Sequence, residues 1–265
     1  MKLMRYLKFC KLLLKFKLSR QMIYSINFLG AFFVDLGVFL IQIAAFSAIF
    51  LQVDDIGGWN RYQMIFFVGT FTILDSIYMC LYFFGVIGIP DKIRTGKLDI
   101  YITKPVNTLF LVSFENMDFG SIFLTIPGLI MISYSAGKLG VRLTVWNVLG
   151  YLFLLLIMLI LMYDLMVLIR SAAFWFTNTN SLHEFENEVV LFSFRIPGVA
   201  FKGLSKLVFY LILPYGLMAT IPTQFFTGYL DGRHWLMTIA VCIVFTCLSQ
   251  FTWRMGLKRY SSASS

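Results

Sequence analysis

Long apolar runs separated by short mixed-charge segments set the rhythm of this 265-residue chain. Six runs, at about 25–51, 63–89, 118–137, 144–169, 207–222 and 235–253, each approach the roughly 20 residues that cross a hydrocarbon core. They predict an all-α membrane protein: a single transmembrane domain of six helices over residues 23–265. Runs one, two and four are long enough to tilt or to emerge among headgroups. Pro127-Gly128 in the middle of the third run and Pro214 in the fifth predict a kink or local unwinding. Before the first run, over residues 1–22, bases and apolar residues alternate at helical spacing. Lys2, Arg5, Lys8, Lys11 and Lys15 fall on one arc, and Leu3, Leu7, Leu14 and Leu18 largely on another. That pattern predicts an amphipathic interfacial helix lying in the headgroup region.

Composition agrees. At 59% apolar, 13% charged and a mean hydropathy of +0.82, the chain is far from a soluble domain, which carries about 25% charged residues. Its net charge of +9 is explained by topology and anionic lipid, so nucleic acid is not an expected partner. Placed by the six-run topology, 18 of the 22 Lys and Arg residues lie on one side and four on the other. Both termini and the 90–107 loop are therefore expected in the cytoplasm, as for a multi-pass protein of the bacterial cytoplasmic (inner) membrane. On this reading no base lies deep in a span, and residues 170–206 form a cytoplasmic surface of one or two short helices. Trp175, Arg195 and Pro197 belong to that surface. No cleavable signal peptide is legible. Cys10, Cys80, Cys242 and Cys247 lack ligand spacing and read as packing residues.

Enzyme chemistry finds little support. Gly96-Lys97 is followed by Leu98, so no P-loop is present. His183-Glu184 lacks the second histidine of a zinc motif, and His234 is placed across the membrane, so no metal site is expected. No Gly-x-Ser-x-Gly occurs. Asp35, Asp75 and Asp164 lie within predicted runs one, two and four, where acids are costly and mark function by default. Asp164, near Arg170, reads as interfacial. Asp35 and Asp75 fit polar glue and the lining of a translocation path equally well.

The segment PDKIRTGKLDIYITKPVN, residues 90–107, is the most structured of the interruptions. Gly96 suits a turn with positive φ, and Pro105 ends the segment. Ile93, Leu98, Ile100 and Ile102 give an apolar face, while Arg94, Lys97 and Asp99 stay available to a partner. These residues fit a docking element and a segment resting on lipid equally.

The run Ile93-Arg94-Thr95-Gly96-Lys97-Leu98-Asp99, followed by Ile102-x-Lys104-Pro105-Val106-Asn107, resembles the cytoplasmic loop of ABC-2 family ABC-transporter permeases. Ala173-Phe174-Trp175-Phe176, Phe194-Arg195-Ile196-Pro197, Leu213-Pro214 with Gly216-Leu217, Ile221-Pro222 and Gly228 follow in a similar order. The resemblance implies the membrane subunit of an exporter that does no covalent chemistry and binds no cofactor itself. ATP and Mg would sit on a partner ABC ATPase, present in two copies, beside a second permease chain that is identical or a paralogue. It implies that Ile93, Arg94, Gly96, Lys97, Leu98, Asp99, Lys104 and Pro105 form the coupling helix that touches the ATPase. The path would run between permeases along spans two and five, with Pro214 and Pro222 near its outer closure and Asp35 and Asp75 as candidate lining. Ile100-Tyr101-Ile102-Thr103 and Lys104 depart from the usual Leu-rich run and Arg. Two other classes compete: a stand-alone proton-coupled carrier or channel using Asp35 and Asp75, and a scaffold recruiting a factor through 170–206.

Overall fold

The computed structural model describes residues 25–141 and 144–260. The expected amphipathic helix over 1–22 lies outside the described residues. Among those described, the regular elements are helical, and Ile56 and Trp59 form an isolated bridge. Four helices are long and apolar enough to cross a membrane, or five if one sharply bent pair is counted as a span.

The chain enters on α1, Ser25–Ile49, and turns back through Gly57 and Gly58. Helix α2, Arg61–Tyr78, starts at a capping box: Asn60 Oδ1 accepts from the amides of Tyr62 and Gln63, and the Gln63 side chain accepts from the Asn60 amide. Such a box satisfies donors that the first turn otherwise leaves open. A π-helical turn at Met79–Phe83 and the segment Phe84–Ile87 carry the helix on into α3, Ile89–Arg94. After α4, Asp99–Ile102, and α5, Thr108–Ser113, a 3-10 turn at Ser121–Leu124 leads into α6, Thr125–Leu139. Helix α7, Val145–Ser171, is capped by Thr144, and α8 covers Asn180–Arg195. Helix α9, Gly203–Leu207, continues as a π-helical turn through Ile212. Across an 89° break it meets the Pro214–Leu217 turn and α10, Thr220–Phe226. Helix α11, Gly232–Arg259, closes the bundle.

The long helix from Arg61 to Arg94 is the axis of the bundle: its most apolar stretch is 72% buried, against 22% for that of Ser121–Leu139. Helices α2 and α6 meet backbone to backbone. A methyl group on Gly69 would stand 2.9 Å from the Gly128 carbonyl oxygen, and one on Gly128 would stand 3.0 Å from that of Gly69. Small residues permit this approach, which gives apolar helices packing contacts that lipid cannot match. Pro127 causes no mid-helix kink, because α6 begins at Thr125 and the proline falls in its first turn, where no amide is missed. The unwinding is taken up by the 3-10 turn before it.

Polar contacts inside the bundle are paired across helices. Thr70 and Tyr151 hydroxyls meet at 2.9 Å, and Tyr82 donates to the Leu159 carbonyl at 2.8 Å. Asp164 is not interfacial as expected. It is 1% exposed, and it accepts from Thr246 and Ser249 of α11 at 2.5 Å each. It ties α7 to α11 from within.

Contacts at the two ends of α2 locate the remaining elements. Helix α8 starts beside Arg170, near the 88–107 loop, through Glu186. Farther along it, the Gln42 side chain donates to the Phe194 carbonyl, and the Phe194 ring meets Phe71 edge-on at 4.2 Å. Just beyond its end, a methyl group on Gly57 would strike the Val199 backbone at 2.9 Å. Arg195 and Pro197 thus lie toward the end opposite the 88–107 loop, and only Trp175 remains at the loop end. Helix α9 returns alongside α8, with Phe209 stacked on Phe201 at 4.4 Å and near Phe192 at 5.3 Å. After the tip at Pro214–Leu217, α10 places Phe226 against Phe66 and Tyr151, again at the far end. The run at 207–222 is thus broken at Pro214 by an 89° bend, as the proline predicts.

Candidate functional site

Two features stand out. The first is the loop-end surface. Helices α3 and α4 join through Gly96, whose φ of 72° suits glycine. Leu98 is fully buried and Ile93 packs against the same core. Burying one leucine contributes about 1.5–3 kcal/mol, enough to pin a short loop to the bundle. Arg94, Lys97, Lys104 and Pro105 face outward, with Ile100 and Ile102 at 59% and 44% exposure. The Arg94–Asp91 pair, at 2.8 Å, is open to solvent and adds no more than about 1 kcal/mol.

Beneath that surface Glu115 gathers the loop. Lys92 Nζ pairs with it at 2.5 Å, and the Tyr101 hydroxyl donates to its other oxygen. Burial, then the hydrogen bond and charge of Glu115, push the Tyr101 phenol up to about 12. Lys104 lies over the Tyr101 ring at 5.2 Å. From α11, the Tyr260 hydroxyl lies against Asp99, short of full hydrogen-bond geometry; burial and that carboxylate raise its pKa. The Ala172–Phe174 turn packs on α3, and Trp175 follows it, edge-on to Phe174 at 6.1 Å. The result is a braced, basic and partly apolar knob at one end of the bundle.

The second feature is a cleft of about 980 Å³ between α1, α2, α7 and α8, walled mainly by apolar residues such as Ile41, Phe71, Phe83, Met162 and Met166. Asp75, Arg170, Glu186 and Arg195 also line it. Asp75 is engaged with the Tyr78 hydroxyl. Arg170 is wholly buried and pairs with Glu186 Oε2; the Glu186 Oε1 atom accepts from the Tyr215 hydroxyl at 2.8 Å. Nε and Nη2 of Arg170 have no hydrogen-bond partner among the described residues. Burying such a pair is costly unless its hydrogen bonds are completed. The triad joins α7, α8 and the hairpin tip at one point.

Of the residues expected to line a path, Asp75 is in the cleft. Asp35 falls on α1, with its side chain outside what is described. Pro214 begins the hairpin tip and Pro222 sits in α10; both are buried, and neither lines the cleft. Sequence reasoning passed over Arg170 and Glu186. Arg170 occupies the last turn of α7, one residue past the fourth apolar run. One signal was present: an Arg closing a long apolar run that already holds Asp164, followed by a segment carrying Glu184, Glu186 and Glu188. Among the described residues no cluster of metal-ligating side chains occurs.

The family model described as ABC-2 family transporter protein matches residues 36–264. No curated protein and no solved structure matches the chain.

Proposed function

The chain belongs to the ABC-2 transporter family, and from that premise we propose that it is the membrane permease subunit of an ATP-driven exporter. Hydrolysis takes place on a separate ABC ATPase, which holds the ATP and Mg and is present in two copies. A second permease, identical or a paralogue, completes the assembly in the bacterial cytoplasmic membrane. Six helices cross: α1, α2, α6, α7, α8 and α11, with α9–α10 as a re-entrant hairpin. Placing Arg195, Lys202 and Lys206 at the far end changes the count of bases to 15 against seven. The excess still puts the 88–107 loop and both termini in the cytoplasm.

One observation carries this reading: the knob formed by α3, Gly96 and α4. Buried Leu98 and the Glu115 contacts fix its root, while Arg94, Lys97, Ile100, Ile102 and Lys104 are presented outward. A rigid root under an exposed basic and apolar face suits transmission of force from a partner better than resting on lipid. Closure of the ATPase pair then displaces the knob, and the bundle passes between two packings.

The test is affinity purification of the chain in mild detergent, with identification of co-purifying proteins and an ATPase assay. Recovery of a P-loop ATPase whose attachment weakens on Gly96→Pro or Lys97→Glu supports the reading. A chain that emerges alone, with transport following the proton gradient instead, overturns it and favours a carrier built on Asp75.

A further inference from the structure

We infer that the cleft between α1, α2, α7 and α8 takes an amphipathic anion: an apolar body with an oxygen-acceptor head seated against Arg170. The inference rests on the transporter reading and names the class of its cargo.

Three observations point there. The cleft is large, about 980 Å³, within the roughly 300–1,000 Å³ of small-molecule sites. Its walls are aromatic, aliphatic and Met side chains, which accept an apolar body without demanding one shape. Of its buried polar groups, Gln42, Arg170 and Glu186, the Arg170 guanidinium has donors to spare. Arg170 is 0% exposed and lines the cleft, and among the described residues only Glu186 pairs with it. Nε and Nη2 remain without hydrogen-bond partners among the described residues. A guanidinium has five N–H donors in a planar fork suited to carboxylate or phosphate.

The acids of the cleft do not offer a matching site for a cation. Glu186 is engaged at both oxygens, by Arg170 and by Tyr215, and Asp75 is engaged with Tyr78. At the far mouth, Arg195 adds a second positive charge that is exposed to solvent. The charged groups left to contact a ligand are therefore cations, and Gln42 Oε1 adds one neutral acceptor.

The experiment uses the full chain purified in a neutral maltoside detergent, with whatever partner subunits accompany it. Binding of dodecyl phosphate and of dodecyltrimethylammonium, equal in chain and opposite in head, is measured by quenching of intrinsic Trp fluorescence below their micellar concentrations. Two variants separate the cleft from the rest of the surface. Arg170→Gln/Glu186→Gln removes the pair yet leaves the net charge of +9 unchanged, so general attraction of anions to a basic protein stays constant. Ala45→Trp fills the apolar wall and keeps the pair.

The expected result is at least about tenfold tighter binding of the phosphate head, as one charge-assisted hydrogen bond allows. That preference should fall below about threefold in the double variant, and Ala45→Trp should weaken both amphiphiles. Equal affinity for both heads, or a preference that survives the double variant, overturns the inference. Because binding is read without nucleotide, neither outcome depends on recovering an ATPase. Failure of the cargo class is thus distinct from failure of the transporter reading.

Discussion

Replacing Glu186 with Gln tests whether the Arg170–Glu186–Tyr215 triad holds three elements together. The substitution keeps size and leaves an acceptor for the Tyr215 hydroxyl, which now lies 2.8 Å from Glu186 Oε1. What it removes is the counter-charge of a guanidinium with no solvent exposure. Breaking a buried pair from one side costs about 3–5 kcal/mol, whereas removing both charges is often close to neutral. The expected pattern is therefore a loss of about 3–5 kcal/mol for Glu186→Gln, with most of it regained in Arg170→Gln/Glu186→Gln. Tyr215→Phe should cost about 1.5–3 kcal/mol, the range for a hydrogen bond to a charged group. It should cost less once Glu186 is Gln, since the two share one network. Titration of the purified chain with SDS in mixed micelles, followed by far-ultraviolet circular dichroism, gives each free energy. A loss below about 1 kcal/mol for Glu186→Gln, with no recovery in the double variant, would refute a desolvated ion pair and leave the hairpin tip held by packing alone.

Single cysteines at positions 97 and 195, in a background without the four native cysteines, should be labelled by an impermeant thiol reagent from opposite faces of the membrane; labelling from one face returns α8 to a surface helix. Gly96→Val forces a branched side chain to a φ of 72°, a strain of about 1–3 kcal/mol, and should loosen the knob, read as faster tryptic cleavage at Arg94 and Lys97. Tyr101→Phe should remove one phenolate step near pH 12 rather than 10 from the ultraviolet titration. The sign follows: a phenol whose folded pKa is raised contributes stability in full below about pH 10, and loses it as pH rises toward 12. A missing step at the ordinary phenol value would mean that Tyr101 is not held by Glu115.

The apolar runs that hold α2, α6, α7 and α11 were legible in hydropathy, because each is apolar along most of its length, whether enclosed by the bundle as α2 is or largely open as α6 is. The Gly96 turn and the ends of the knob were legible as well, since glycine and proline act through the backbone. Helix α8 was not. Glu184, Glu186 and Glu188 give it a polar composition, and its neighbours cover Glu186, Val189 and Ser193, a fact written in the tertiary fold. Pro214 announced a break but not the direction of the return. That direction depends on Tyr215 reaching Glu186, 29 positions earlier in the chain. Asp164 was misread for a related reason: its partners, Thr246 and Ser249, lie more than 80 positions away.

At Gly69 and Gly128 the backbones of α2 and α6 touch, with Ile73, Met131 and Ile132 packed tightly around the crossing. The 88–107 knob joins α2 through the π-helical turn and Phe84–Ile87, and α6 through α5 and the 3-10 turn. A push on it therefore cannot be absorbed as sliding within the pair. The two helices act as a single stiff lever, and its travel has to emerge where the packing is looser, along the open cleft against α1 and α8.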